Sequence, residues 1–376
     1  MRQSGAVRRC AVVGVTAMAA VLLAACGAGG PDDAGGALPS IDAPHDPLRD
    51  LAPEGVVIGA AAAGGGHLGG GSDPFQVDER YREVLGAEFS SVTPENQLKW
   101  EYVHPEPEVY AFEAADELVA FAEEHGMAVR GHTLLWHSQN PAWLEQGDYG
   151  PDELRAILRD HITTVVGRYA GRVQQWDVAN EIVDERGQLR TTENIWLREL
   201  GPDVVADAFR WAHEADPDAL LFLNDYDAES VNAKTDAYLT LAQDLLAQGV
   251  PVHGFGVQAH LSLEYGAPGD GLREVLQRFA DLGLATAITE ADVRVVLDGG
   301  RATEQDLARQ AEYYADVVEG CLAVAGCDSI TLWGFTDTYS WVPSWFDGRG
   351  AATVLTEDYR RKPAYDAVAE ALEVGR

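Results

Sequence analysis

A regular alternation of short apolar segments with longer amphipathic ones constrains the fold of this chain more than any other feature. The apolar segments are five to nine residues long and rich in β-branched and aromatic residues, which is typical of strands buried on both faces of a parallel sheet. Eight strands are predicted from them, at residues 55–61, 89–93, 128–136, 173–181, 219–225, 254–260, 285–291 and 329–335.

The segments between the predicted strands have the periodicity of amphipathic helices. In residues 113–125, for example, apolar side chains recur at spacings of three and four, which places them on one helix face. Pro151 stands where a helix would begin, and Asp152 and Thr303 are predicted N-caps. Helices are predicted near residues 76–86, 113–125, 151–169, 203–215, 231–248, 270–281, 303–319 and 363–374. Because strand and helix alternate over about 320 residues, the sequence predicts an α/β fold with a single (β/α)8 TIM barrel.

A doubly wound open sheet is the alternative fold, and a nominal dinucleotide-binding fingerprint favours it. Residues 64–69 fit the GxGxxG pattern directly after the first predicted strand. No helix is predicted to begin there, because the glycine-rich run continues toward Pro74. We therefore interpret these residues as a loop at the top of a barrel.

The N-terminal residues predict export and a tether. Residues 1–25 combine three arginines with an apolar run too short to span a membrane comfortably, which is typical of a secretory signal peptide. The run ends in LAACG, which resembles the lipobox of bacterial lipoproteins. That resemblance implies a lipid anchor at Cys26 and a location on the extracellular face of the cell membrane, and full secretion after ordinary cleavage is the alternative. Residues 26–50 are rich in Gly, Pro, Ala and Asp and predict a flexible tether, followed by the barrel domain at residues 51–376.

The charge balance narrows the choice of partners. The chain has 61 Asp and Glu residues against 27 Lys and Arg residues, a formal net charge of −34. Such a surface repels nucleic acids and anionic lipids, so a nucleic-acid partner is not expected. A neutral polysaccharide meets no such repulsion, although the acidity also has the simpler interpretation that it serves solubility.

Polar and aromatic residues follow the predicted strands at the end where barrel enzymes carry their active sites. Aromatic faces stack on sugar rings, and amide, imidazole and ammonium groups hydrogen-bond to hydroxyls, so this mixture indicates a carbohydrate site. In chain order these residues are Glu95, Asn96, Lys99, His132, Trp136, His137, Asn180, Glu181, Asn224, Asp225, Tyr226, Gln258, His260, Glu290, Asp292, Trp333 and Trp341.

Two of these residues, Glu181 and Glu290, suggest a catalytic carboxylate pair. Glycoside hydrolysis needs one carboxylic acid to protonate the leaving oxygen and one carboxylate to attack the sugar or activate water. A metal site formed by His132, His137 and His260 is disfavoured, because HExxH is absent from the sequence and the three lie on different strands among amides and Trp. We expect no metal and no cofactor. The sequence also lacks a GxSxG serine-nucleophile motif.

From about residue 55 onward the chain resembles glycoside hydrolase family 10, the retaining endo-β-1,4-xylanases. The resemblance implies a TIM barrel that cuts internal bonds of xylan with retention of configuration, binds xylo-oligosaccharides and is expected to be a monomer. The motifs that carry it are SVTPENQLKW (91–100), VRGHTLLWHSQNPAW (129–143), WDVANE (176–181), NDY (224–226) with NAK (232–234), GVQAHL (256–261), ITEADVR (288–294), ITLWGFTDTYSW (330–341) and KPAY (362–365).

The resemblance also implies a role for each site residue. Glu181 would be the general acid/base and Glu290 the nucleophile, with Gln258 and His260 orienting Glu290 and Asp292 supporting His260. The implied sugar-binding residues are Glu95, Asn96, Lys99 and His132 on the non-reducing side, Trp136, Trp333 and Trp341 as aromatic walls, Asn180 at the 2-hydroxyl, Tyr226 on the leaving-group side, and Gln258 and His260 beside the reacting sugar.

The barrel region contains two cysteines, Cys321 and Cys327. Export implies an oxidising space, so a local disulfide is expected, as the family resemblance also implies, and two buried thiols are the alternative. Two rival functions stay open at this point. One is a surface lipoprotein that binds sugar without cleaving it, and the other is a cellulase or mixed-linkage glucanase on the same barrel.

Overall fold

The structure is a computed structural model that describes residues 38–65, 68 and 73–375. The predicted signal peptide, the predicted lipidation site Cys26 and the first part of the predicted tether lie outside the described residues. Within the described part of the chain, no helix combines the length and the apolar character that crossing a membrane requires.

The predicted barrel is confirmed. Within the described residues, eight parallel strands pair in chain order, and the last one pairs with the first, so the sheet closes and the open-sheet alternative is wrong. These strands are β1 (Val57–Ala62), β2 (Ser91–Pro94), β3 (Ala128–Leu135), β4 (Gln175–Asn180), β5 (Leu220–Asp225), β6 (Gly254–Val257), β8 (Ala285–Val296) and β9 (Cys327–Leu332). Two short strands, β7 (His260–Ser262) and β10 (Arg349–Gly350), pair with the end of β8 above the barrel.

Helices alternate with the strands, as the periodicity predicts, and shorter helices occupy the loops. The long ones are α3 (Glu79–Glu88), α5 (Glu113–Glu124), α7 (Pro151–Arg168), α9 (Val204–Ala215), α10 (Ala233–Ala247), α11 (Gly269–Ala280), α12 (Glu304–Leu322) and α14 (Pro363–Val374). The shorter ones are α1 (Leu48–Leu51), α2 (Pro74–Val77), α4 (Trp100–Val103), α6 (Ala142–Glu145), α8 (Ile195–Leu200) and α13 (Val342–Trp345).

The two predicted N-caps have different outcomes. Thr303 caps α12, since its hydroxyl accepts the backbone N–H of Asp306 at 3.1 Å. The prediction of Asp152 as a cap is wrong, because α7 begins at Pro151 and its N-cap is Gly150, two residues before Asp152. Proline suits the first helical position because it has no N–H to leave unpaired, and this moves the cap to the residue before it.

The barrel belongs to a compact unit that includes residues 38–50. Residues 38–50, which the sequence analysis assigned to the tether, contact the barrel. Leu48 is fully buried and Ile41 is 6% exposed, and the Ile41 N–H donates to the carbonyl oxygen of Tyr359 at 2.9 Å. Burying such a side chain stabilises by about 1.5–3 kcal/mol, which offsets part of the entropy lost in ordering a segment of linker-like composition.

The predicted disulfide is confirmed. Cys321 and Cys327 are bonded and join the end of α12 to the start of β9. Cys327 begins β9, so the crosslink lies at the opposite end of that strand from the predicted site residue Trp333.

Candidate active site

Glu290, in β8, is held by donors on both of its oxygens. Its side chain is 5% exposed, and Oε1 accepts a hydrogen bond from Nδ2 of Asn224 at 2.8 Å. Oε2 lies 3.3 Å from Nε2 of His260, and Nδ1 of His132 is 3.9 Å from Oε1. Burial alone would raise the pKa of Glu290, but His132 and His260 outweigh that effect and the pKa is lowered. The carboxylate is therefore ionised.

Asp292 helps to keep His260 protonated from the ring nitrogen that faces away from Glu290. Its Nδ1 lies 3.0 Å from Oδ2 of Asp292, and the same oxygen accepts the indole N–H of Trp341 at 2.8 Å. The parallel pairing of β7 with β8 sets His260 opposite Asp292. Although burial opposes a charge here, Asp292 and Glu290 raise the pKa of His260 to about 10. A protonated imidazole donates from both nitrogens, one to each carboxylate.

Glu181 follows β4 and faces the cleft in a more open setting. Its side chain is 14% exposed, and Oε1 accepts Nε2 of Gln258 at 3.1 Å. Its other oxygen has Nδ1 of His137 at 3.9 Å, beyond hydrogen-bond distance. Burial lowers the pKa of His137, so this neighbour is neutral. Glu181 thus has fewer charged donors than Glu290 and has an oxygen available to carry a proton.

A layer of amides joins the two carboxylates. Nδ2 of Asn224 donates both to Glu290 and to Oδ1 of Asn180, the latter at 2.9 Å. Nε2 of Gln258 donates both to Asn180, at 3.2 Å, and to Glu181. The two hydrogens of each amide nitrogen are therefore committed, which fixes the position of one carboxylate relative to the other.

Of the predicted non-reducing-side residues, Glu95, Asn96 and Lys99 follow β2, and His132 lies in β3. Lys99 donates to Oδ1 of Asn96 at 3.0 Å, and its ammonium lies 4.9 and 5.9 Å from the ring centroids of Trp136 and Trp333. Glu95 accepts a backbone N–H from the loop after β1 at 3.0 Å. Burial lowers the pKa of Lys99. A charged donor between aromatic faces can bind sugar hydroxyls while the rings stack on the pyranose.

A buried ion pair lies behind His132 and was missed by the sequence analysis. Asp177 in β4 accepts Nδ1 of His132 at 2.9 Å and also pairs with Arg130 of β3. Burial would raise the pKa of Asp177, but Arg130 and His132 outweigh it and the pKa is lowered. The signal in the sequence was the pair of charged residues inside otherwise apolar strands. Asn224, which holds Glu290, was noted at its strand end but given no role.

Tyr226 lies after β5, on the side of Glu181. Its hydroxyl donates to Oε1 of Glu185 at 2.8 Å, and the ammonium of Lys234 lies 3.6 Å from its ring centroid. The ring is partly exposed and adjoins the loop after β4. The structure thus places its ring between the loops that follow β4 and β5.

The histidines once considered as metal ligands face carboxylates instead. Within the described residues, no group of three or more His, Cys, Asp or Glu side chains is arranged to hold a metal ion. His132, His137 and His260 point to different acidic side chains around one cleft. Their arrangement fits the orientation of carboxylates.

The family follows from a match over most of the chain. Residues 52–371 match the model of glycosyl hydrolase family 10. The chain belongs to glycosyl hydrolase family 10. It is therefore a glycoside hydrolase, and the predicted family is confirmed.

Similar proteins of family 10 agree with this assignment. Endo-1,4-beta-xylanase B of Thermotoga neapolitana is 44% identical over 295 residues, which cover 78% of this chain and 84% of that protein. The crystal structure of native xylanase 10B from Thermotoga maritima is 44% identical and covers 87% of this chain and 98% of its own, with a TM-score of 0.81. Xylanase 10B from Thermotoga petrophila RKU-1, solved with xylobiose, has a TM-score of 0.82 at 42% identity and covers 88% and 98% of the two chains.

Proposed function

We propose that this family 10 protein is an endo-1,4-β-xylanase that hydrolyses internal β-1,4-xylosidic bonds with retention of configuration. The observation that carries the proposal is the unequal setting of Glu181 and Glu290. Two donors hold Glu290 as an anion, while Glu181 is more exposed and has one oxygen 3.9 Å from neutral His137, beyond hydrogen-bond distance. Retaining glycosidases need this division between a nucleophile and an acid.

In the first step, Glu290 attacks the anomeric carbon and forms a glycosyl ester. The carbon–oxygen bond to the leaving sugar breaks, and Glu181 gives its proton to that oxygen. As the negative charge of Glu290 passes into the ester, protonated His260 keeps its hydrogen bond to Asp292 and stays charged.

In the second step, water takes the place of the departed sugar. Glu181, now ionised, accepts a proton from the water as its oxygen attacks the anomeric carbon. The ester bond breaks, and the electron pair returns to Glu290, whose two donors stabilise the anion again. Two inversions leave the product with the configuration of the substrate.

The proposal that xylan is the substrate is supported by the relatives and by the aromatic residues at the cleft. The relatives above are named xylanases, and the one from Thermotoga neapolitana is named an endo-1,4-beta-xylanase. A xylanase from Cellvibrio japonicus, 30% identical with a TM-score of 0.81 over 88% of this chain and 69% of its own, was solved with xylopentaose. In this chain the rings of Trp341 and Trp333 lie 5.1 and 6.1 Å from that of His260. We infer that this crowding disfavours a sugar with a hydroxymethyl group at its 5-position and so favours xylose over glucose.

The test compares sugar release from xylan and from carboxymethyl-cellulose by the chain without its predicted signal peptide. Glu290→Gln is expected to abolish activity, and Glu181→Gln to lower kcat on xylan by about 10²–10⁴-fold. The first product seen by NMR should have the β configuration. Activity mainly on cellulose would refute xylan as the substrate. Binding of xylan without release of sugar would indicate a sugar-binding protein instead of an enzyme.

We also propose that the protein is exported and anchored by a lipid at Cys26. The support is the lipobox resemblance alone. Incorporation of labelled palmitate into the full chain in a bacterial host, and its loss in Cys26→Ala, is the expected result. Unlabelled protein in the culture medium would instead support full secretion.

A further inference from the structure

The backbone at Glu181 has an unusual conformation that must be held in place. Its φ is +53°, in the left-handed region that side-chain-bearing residues rarely adopt. Two hydrogen bonds flank it. The Glu181 N–H donates to the carbonyl oxygen of Asn224 at 2.9 Å, and the Ile182 N–H donates to the hydroxyl of Tyr238 at 3.0 Å. The first bond fixes the peptide before Glu181, and the second fixes the peptide after it.

Tyr238 itself is oriented by a buried ion pair. Its hydroxyl donates to Oδ2 of Asp225 at 2.6 Å, and Oδ1 of Asp225 accepts Nζ of Lys234 at 3.0 Å. All three side chains are at most 1% exposed. A hydroxyl has one hydrogen, so donating it to Asp225 turns its lone pairs toward Ile182. Burial raises the pKa of Asp225 to about 7 with Lys234 opposing the shift, and its bonded partners all donate, which favours the ionised form.

We propose that Tyr238 is a positioning residue for the acid/base Glu181, acting through the peptide that joins Glu181 to Ile182. The inference rests on the proposed function, since it assigns Tyr238 to the acid/base half of that mechanism. Glu290 is held separately, by Asn224 and by charged His260. Loss of the Tyr238 hydroxyl should therefore impair proton transfer and leave nucleophilic attack intact.

The hydroxyl can be removed without removing the ring. Tyr238→Phe keeps the packing of the ring against Phe255, whose centroid is 5.2 Å away, and leaves the Ile182 N–H without its partner. A matched control is Tyr365→Phe. Tyr365 is 1% exposed, and its hydroxyl donates to a buried carboxylate, that of Glu88, at 2.6 Å. The control loses an equivalent bond on the outside of the barrel, away from Glu181.

The experiment measures kcat/KM for two aryl β-xylobiosides, because kcat/KM reports the first chemical step. A dinitrophenyl group leaves without a proton, whereas a phenyl group needs one from Glu181. In Tyr238→Phe we expect kcat/KM to fall by about tenfold or more for the phenyl substrate and by no more than about twofold for the dinitrophenyl substrate. Tyr365→Phe should match the parent on both.

Each other outcome has a defined meaning. An equal loss on both substrates would make Tyr238 a structural residue and overturn the proposal, as would no loss on either. Glu181→Ala, measured beside it, tests the underlying function, since a lack of leaving-group dependence there refutes the acid/base assignment itself. Should Tyr238→Phe give no folded protein, Asp225→Asn makes the same test, because it removes the charge that orients the hydroxyl.

Discussion

Acidification is expected to destabilise this protein through a buried histidine pair below the Lys99 loop. His104 is 3% exposed and His161 fully buried, and their Nδ1 atoms are 3.3 Å apart. The ring of His161 stacks on that of Trp100 with centroids 3.5 Å apart. Burial lowers the pKa of His104 from 6.5 to about 4, although Asp160 opposes the shift, and it lowers the pKa of His161 further below 6.5.

The magnitude follows from the two pKa values of His104. A difference of about 2.5 between the unfolded and folded values corresponds to about 3 kcal/mol. Since the folded value is the lower one, this stabilisation is complete above the unfolded pKa and is lost as the pH falls through the folded pKa. Between about pH 7 and about pH 4.5, we expect the free energy of unfolding to fall by about 2.5 kcal/mol from His104 alone.

Urea unfolding of the parent and of His104→Phe at both pH values isolates this contribution. Phenylalanine keeps a ring in the stack with Tyr110, whose centroid is 4.2 Å away, and it cannot take up a proton. The variant should lose about 2 kcal/mol less than the parent on acidification. His125→Phe, at a partly exposed position, is the control and should behave as the parent does. An equal loss in the parent and in His104→Phe would refute the reasoning.

Three further predictions concern single contacts. Asp292→Asn removes the charge that raises the pKa of His260 to about 10, so an NMR titration of the His260 ring should give a lower pKa in the variant than in the parent; an unchanged pKa would contradict the assignment. Lys99→Met removes a charged donor worth about 2 kcal/mol, so kcat/KM on xylotriose should fall by about thirtyfold in steady-state kinetics, and a change under about twofold would exclude sugar contact. Cys321→Ser removes the disulfide to Cys327, which closes a loop with a sequence separation of 6. In urea titration the free energy of unfolding of this variant should be about 2 kcal/mol lower than that of the parent protein kept oxidised.

The barrel was predictable because its strands and helices have different hydrophobic periods, and these survive in the sequence without knowledge of contacts. The predicted boundaries were wrong where contacts with distant parts of the chain determine the structure. β8 runs to Val296, beyond the predicted end at residue 291, because β7 and β10 supply partners for it above the barrel. Neither partner strand is longer than three residues, too short for a periodic signal. The same holds for residues 38–50, whose few apolar side chains become ordered only against the barrel surface.

The candidate catalytic residues could be predicted from the sequence, and the roles of the residues that hold them in place could not. Strand ends and family motifs locate Glu181 and Glu290, because position along the chain is enough to find them. The role of Asn224 depends on register, since β4 and β5 pair so that Asn180 lies opposite it. The role of Asp177 likewise requires the pairing of β3 with β4 that sets it opposite His132.

The same register explains why the two glutamates cannot exchange roles. A protonated Glu290 would need an acceptor for its hydrogen, yet Asn224 and charged His260 both present donors to its oxygens. Gln258 donates to one oxygen of Glu181, and neutral His137 lies 3.9 Å from the other oxygen. A proton on that second oxygen would therefore not displace a hydrogen bond from His137. β5 and β7 supply the two donors of Glu290 at fixed heights, whereas Glu181 lies just past the end of β4. The difference in hydrogen bonding that the mechanism requires is thus set by where each glutamate falls relative to the end of its strand.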